Sequence, residues 1–140
     1  MEMAFTGAAD LYYYVYESTV LDGAYTPVFE KQLTVEGTGR AFYDSGEINV
    51  PVEPGKYYGI AVAWGAKSIT AYRGGISLPL SWELGEIPKF FLVDNVTPPI
   101  AGPLTPWEQA IASTDKGAYS MQLCLSAGML PPASELQLAA

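Results

Sequence analysis

The sequence contains no histidine and a single cysteine, Cys124. Without histidine, neither a Ser-His-Asp nor a Cys-His catalytic centre can form, and a histidine-ligated zinc site is excluded. One cysteine cannot form an intrachain disulfide, and its apolar neighbours favour a small buried side chain over a reactive thiol. Histidine-dependent catalytic centres are therefore excluded, and we predict a protein that is not an enzyme.

Basic residues are also scarce. The 140 residues include seven Lys and Arg against fifteen Asp and Glu, so the formal net charge is −8. Nucleic acids and anionic membranes bind cationic surfaces, and neither is an expected partner. No apolar run is long enough to span a bilayer, so no membrane insertion is expected. The opening residues "MEMAFTGAAD" lack the basic and apolar segments of a signal peptide.

Hydrophobic residues, turn formers and tyrosine are plentiful. Hydrophobic residues make up 49% of the chain, with 14 glycines, 11 prolines and 10 tyrosines. This balance is typical of a packed all-β protein with many turns. The length suits one domain, which we assign to residues 1–126, and residues 127–140 are predicted to be a flexible or docking C-terminal tail.

Two-residue periodicity dominates the chain. "FEKQLTVE" (29–36) alternates and predicts a strand with one wet face, and "VLDGAYTP" (20–27) predicts the turn before it. "EINVPVE" (47–53) predicts a strand with Ile48, Val50 and Val52 inside. "EPGK" (53–56) is typical of a type II turn, and "YYGIAVAW" (57–64) predicts the next strand. Further strands are predicted at 68–74, 76–80, 89–96 and 118–125.

One short helix is predicted near residues 106–112. "TPWEQAIAS" offers Thr105 as an N-cap, Pro106 at the first helical position and Glu108 for a capping box. Together the elements predict an all-β fold: an antiparallel two-sheet β-sandwich of about eight to ten strands, jelly-roll-like, with this single helix.

The order of segments resembles a known kind of module. "LYYYVYES", a glycine turn, "FYDSGEINVPVEPGKYYGIAVAW" and "TAYRG" are similar to a β-sandwich accessory module of bacterial extracellular multidomain proteins, of the carbohydrate-binding or cell-surface anchor-associated type. The similarity covers roughly residues 11–75. It implies a noncatalytic accessory domain located outside the cell or at the cell surface, while a cytoplasmic location stays open.

The tyrosine-rich segment supplies the first candidate site. Strand alternation puts Tyr12, Tyr14 and Tyr16 on one face, where flat sugar rings could stack on the phenol rings. Trp64 and Tyr72 are large aromatics near predicted loops and complete the candidate ligand-binding set. The alternative is structural: the tyrosines pack between layers or form a cross-strand ladder covered by neighbours.

Carboxylates supply weaker candidates. Asp94 and Asp115 lie beside predicted turns and could bind Ca²⁺, although no EF-hand-like pattern occurs and turn aspartates are commonly structural. No other cofactor is expected. Two acids could also support glycosidase chemistry, but none has an apolar setting that would raise its pKa.

We therefore predict a noncatalytic recognition module that binds glycans through exposed aromatic side chains. The alternative is a self-assembling structural subunit of a filament, appendage or capsid, in which a neighbouring subunit buries the tyrosine strand. The expected partner is a glycan in the first case and another protein subunit, with oligomer formation, in the second.

Overall fold

The computed structural model describes residues 1–65, 68–82, 85–93, 97–100, 102–105, 110–114 and 116–119. These residues form strands only, and no helix occurs among them. The ten strands, in chain order, are β1 (Glu2–Ser18), β2 (Thr26–Phe42), β3 (Tyr57–Trp64), β4 (Thr70–Ala71), β5 (Arg73–Ser77), β6 (Leu80–Trp82), β7 (Gly85–Ile87), β8 (Phe90–Val93), β9 (Ala110–Thr114) and β10 (Lys116–Tyr119). The predicted all-β class is confirmed.

The main sheet is built around β1. On one side β1 pairs with β2 in an antiparallel hairpin, and on the other side it pairs with β3 and, near its start, with β4. Each hairpin strand has 17 residues and is therefore about 55 Å long. The predicted turn is confirmed: Gly23 donates its N–H to the Val20 carbonyl at 3.1 Å between the two strands.

The inner face of the main sheet carries the odd-numbered side chains of β1. Met3 and Leu11 are completely buried there, and Phe5, Ala9 and Tyr13 are nearly so. Along β2 the predicted alternation is confirmed, with Leu33 and Val35 packed against this core and the even-numbered side chains exposed. Tyr43 covers part of the face, with its ring centroid 4.5 Å from that of Phe5.

Residues 43–56 connect β2 to β3 without forming a strand. The predicted strand over 47–53 is therefore wrong, and Val52, which we placed inside, is 62% exposed. The turn that follows is confirmed, since Gly55 has a φ of 80° and the Lys56 N–H donates to the Glu53 carbonyl. The segment instead connects β2, on one side of β1, to β3 on the other side.

The remaining strands form three antiparallel pairs: β5 with β10, β6 with β7, and β8 with β9. Strand β9 corrects the predicted helix near 106–112, because Ala110 and Ala112 pair with Val93 and Leu92 of β8. A capping box is a local signal, and pairing with the extended strand β8 outweighs it there. Residues 106–109 and the predicted tail at 127–140 lie outside the described residues, as do 120–125 of the last predicted strand.

Candidate functional site

The even-numbered face of β1 carries the tyrosines. Tyr12, Tyr14 and Tyr16 share this face, as predicted, but Tyr14 and Tyr16 are each only 1% exposed. They form a tyrosine cluster with Tyr25, which precedes β2. Because β1 already contributes Tyr13 and Val15 to its other face, the strand is buried on both sides from Tyr13 to Tyr16.

A distant part of the chain covers the tyrosine cluster. Tyr25 and Leu104 exchange two backbone hydrogen bonds of 2.8 Å, which fix the segment around Leu104 over the sheet. The Tyr14 phenol accepts a hydrogen bond of 2.9 Å from the Ile100 N–H. Small residues of β3, Ala61 and Ala63, leave room for the rings. Residues from three separate regions therefore enclose these phenols.

The two innermost phenols differ in their hydrogen bonds. Tyr14 and Tyr16 pack with ring centroids 5.6 Å apart, yet the Tyr16 Oη is buried with no hydrogen-bond partner among the described residues. Burial raises the pKa of Tyr16 to about 12, with a smaller contribution from neighbouring Tyr14. Burial also raises the pKa of Tyr14, while the Ile100 N–H opposes that shift. Both phenols are therefore neutral at ordinary pH.

The predicted sugar-stacking surface depends on the exposure of Tyr12, Tyr14 and Tyr16. Stacking requires an exposed ring face, and the faces of Tyr14 and Tyr16 are not accessible. Only Tyr12, which is half-buried at the margin of the cluster, keeps part of its surface in solvent. Neighbours cover Tyr14 and Tyr16, as in the structural alternative, and ligand binding by the aromatic set stays a prediction.

Trp64 and Tyr72 lie apart from the tyrosine cluster. Trp64 opposes Leu11 in the sheet and packs against the core of the inner face. The half-buried ring of Tyr72 lies under the Arg40 guanidinium, whose Cζ is 4.0 Å from the ring centroid, and Arg40 also binds Glu2 at 2.7 Å. The structure therefore does not bring the five predicted aromatics together.

The calcium candidates Asp94 and Asp115 lie outside the described residues. In the part of the chain that is described, no group of three or more His, Cys, Asp or Glu side chains could hold a metal ion. Calcium binding stays a prediction.

The free edge of β2 is a feature that sequence reasoning did not locate. Met1 and Tyr43 exchange two backbone hydrogen bonds, of 3.1 and 3.0 Å, so they form a hydrogen-bonded pair at the end of the hairpin. In an antiparallel ladder such pairs alternate, so from Phe29 to Ala41 the odd-numbered residues of β2 bond to β1 and the even-numbered ones point away, up to the register shift at Val28. No other described strand pairs with β2. We call Glu30, Gln32, Thr34 and Glu36 the open edge.

The side chains along this edge are exposed. Val28 and Phe42, near the two ends of β2, are 44% and 49% exposed, and Glu30 and Arg40 lie between them. Beyond the open edge, the next outward-pointing amide already has a partner: the Thr38 N–H donates a hydrogen bond of 3.2 Å to the Tyr43 phenol. That bond confirms that an even-numbered amide points away from β1. The strand itself was predictable from its alternation, but its place at the rim of the sheet depends on which strands pair.

Comparisons with protein-family models, with curated proteins and with solved structures find no match. The resemblance to extracellular bacterial modules therefore stays a prediction. Within the described ranges, none of the secondary structure is a helix that could cross a lipid bilayer.

Proposed function

We propose that this protein is a noncatalytic structural subunit that associates with other protein chains through the open edge of β2. The observation that supports this most directly is a 17-residue strand that bonds to β1 along one side and to no described strand along the other. Unpaired N–H and C=O groups along a strand are a template for a further strand. A protein that works alone usually shortens or covers such an edge.

Two features of β2 favour controlled association over indiscriminate aggregation. Pro27, at the start of the strand, and the inward-facing Lys31 are residue types that natural edge strands use to limit pairing. The exposed face also alternates charged and polar side chains, including Glu30 and Glu36. A partner strand must therefore match both the pleat and the charges.

The proposal is tested by light scattering over a range of protein concentrations. We expect the wild-type mass to rise above that of the monomer, and a monomer at every concentration would contradict the proposal. Gln32→Pro removes an N–H that points away from β1, so it should keep the fold and weaken association. Lys31→Pro removes an N–H that bonds to β1, so this matched control should destabilise the hairpin itself.

The proposal also includes the arrangement of the sheets and the location of the protein in or outside the cell. A two-sheet sandwich, jelly-roll-like in outline, is supported by the coverage of both faces of β1 between Tyr13 and Tyr16. An extracellular or cell-surface location is supported by the resemblance alone.

Glycan recognition is the second candidate and would depend on Trp64, Tyr72 and the exposed part of Tyr12. A glycan-array signal that Trp64→Ala abolishes without unfolding the protein would favour it over the structural subunit.

A further inference from the structure

We propose that the partner at this edge is a second copy of the chain, and that two β2 strands pair antiparallel about a two-fold axis at Val35. This inference rests on the proposed function and specifies its first assembly step. The two main sheets would join into one continuous sheet in which each copy contributes the same surface. Such an interface is closed, so it produces a dimer and leaves no second β2 edge for further growth.

Strand geometry restricts the choice of register. The exposed side chains of β2 occupy even-numbered positions, and residues directly opposite each other across a sheet point to the same face. A symmetric pairing must therefore be centred on a residue, so that even positions face even positions. Pairings centred between residues would place core side chains of one copy beside exposed side chains of the other.

Charge then distinguishes the remaining registers. A pairing centred on Leu33 would place Glu30 against Glu36 of the other copy twice, and like charges directly opposite are destabilising. A pairing centred on Gln32 or Thr34 places no glutamate opposite Arg40, so it forms no ion pair between the copies. Centring on Val35 places Glu30 against Arg40 of the second copy, and the symmetry repeats this ion pair. Centring on Thr38 also opposes unlike charges, but it overlaps only the last part of the strand.

The exposed apolar residues fit the same register. With Val35 at the centre, Phe42 of each copy lies next to Val28 of the other, at the point where the β1–β2 register shifts, and the monomer leaves these side chains 49% and 44% exposed. The register thus satisfies the charges and covers apolar surface at both ends of the paired strands. Arg40 can bind both Glu2 and a second carboxylate, because its contact with Glu2 uses only Nε among the five guanidinium N–H donors.

Pairing requires one existing hydrogen bond to be exchanged. Gln32 and Thr38 of the two copies would be a hydrogen-bonded pair, yet the Thr38 N–H now donates to the Tyr43 Oη. On dimerisation this N–H would donate instead to the Gln32 carbonyl of the second copy. Tyr43→Phe removes the competing acceptor, together with the 2.8 Å hydrogen bond that the Tyr43 hydroxyl donates to the Gly39 carbonyl, and it keeps the ring that packs on Phe5. We therefore expect this variant to dimerise about threefold to tenfold more tightly.

The decisive experiment reverses the two charges in separate proteins. In a dimer of the Glu30→Arg variant, positive side chains at positions 30 and 40 would lie opposite each other. In a dimer of the Arg40→Glu variant, negative side chains would lie opposite each other at the same positions. Each variant should dimerise at least about tenfold more weakly than the wild type. An equimolar mixture opposes unlike charges at both positions and should restore the dimer mass. If each variant alone dimerises like the wild type, or if the mixture stays monomeric, the register is wrong.

Cysteine cross-linking tests the register independently, and it applies even if Arg40→Glu fails to fold or if Glu30→Arg, which removes the carboxylate beside the Tyr14 phenol, does so. In a Cys124→Ser background, Gln32→Cys mixed with Thr38→Cys should form a disulfide heterodimer, since paired Cα atoms lie about 5.5 Å apart. Gln32→Cys mixed with Thr34→Cys is the matched control and should not cross-link. Cross-linking of that control would instead indicate the register centred on Leu33.

The two levels of the proposal can fail separately. A wild-type chain that is monomeric at all concentrations overturns both the structural subunit and the dimer. A wild-type oligomer that cross-links only in another register, or that ignores both charge reversals, overturns the dimer described here and leaves edge association in place.

Discussion

The two halves of the β1–β2 hairpin belong to the same antiparallel pair of strands but differ in what covers them. In the first half, Thr6, Ala8 and Asp10 expose the even-numbered face to solvent, while the odd-numbered face is buried. In the second half, Tyr14 and Tyr16 are buried on the even-numbered face as well. Antiparallel pairing with β2 runs through both halves, with one register shift between Val15 and Tyr16, and layers packed on the sheet make the difference in burial.

This difference explains the use of tyrosine in the second half. A strand buried on both faces needs large side chains on each, and a phenol supplies ring area together with a polar end. Tyr14 uses that end to bind the Ile100 N–H, and Tyr25 uses its own to donate to the Leu21 carbonyl at 2.9 Å. The phenols thus fix the covering segment and the turn to the sheet, as well as filling space.

The largest effect is expected from removing a ring in the doubly covered half. Tyr14→Ala should lower the free energy of unfolding by about 3–5 kcal/mol, because it leaves a cavity between β1 and the covering segment. Thr6→Ala, on the exposed face of the same strand, should change it by no more than about 0.5 kcal/mol. Urea denaturation measures both values. Equal effects would show that the tyrosine face is not enclosed.

Two glycines of the main sheet provide the next comparison. A Cβ on Gly37 would overlap the Phe5 ring and lie 2.7 Å from the Phe5 carbonyl oxygen, so backbone must shift. A Cβ on Gly59 would meet the Tyr16 Cβ at an ordinary 3.7 Å. We expect Gly37→Ala to destabilise the protein by about 2 kcal/mol or more, and Gly59→Ala to be neutral or slightly stabilising.

Thermal unfolding of the two alanine variants, followed by circular dichroism, measures this contrast. The result would contradict the described packing if Gly59→Ala were the more damaging substitution, because the tightest approach would then lie in the tyrosine half.

The features that were predicted correctly depend on residues adjacent in the sequence. The alternation of 29–36, the turn at Gly55 and the shared face of Tyr12, Tyr14 and Tyr16 all follow from the two-residue period and from turn chemistry. It did not predict the cover over the tyrosines, since Ile100 lies 86 residues from Tyr14 along the chain. For the same reason the open edge was not assigned, because an edge is defined by the strands that are not beside it.

A smaller effect should separate the two buried phenols. Tyr14→Phe leaves the Ile100 N–H without its acceptor, so we expect a loss of about 1–2 kcal/mol. Tyr16→Phe removes an Oη that has no partner among the described residues, so it should be neutral or stabilising by about 1 kcal/mol. Denaturant midpoints of the two variants measure the difference. A destabilised Tyr16→Phe protein would reveal a partner for that phenol.

The smallest effect is expected at the tip of the doubly covered half, where Lys56 binds both Glu17 at 2.9 Å and Glu53 at 2.8 Å. Hydrogen bonding to both carboxylates raises the pKa of Lys56, and Lys56 lowers the pKa of Glu17. The ion pair between Lys56 and Glu17 therefore stabilises the protein fully at pH values between the unfolded-state pKa values of Glu17 and Lys56. It is lost as the pH falls through the lowered pKa of Glu17 or rises through the raised pKa of Lys56.

Glu17→Gln should lower the melting temperature more than Glu53→Gln, because the Glu17 side chain is 26% exposed and that of Glu53 is 56% exposed. Both decreases should shrink in high salt and at acidic pH, and a Glu17→Gln decrease that persists there would mean that its packing matters more than its charge.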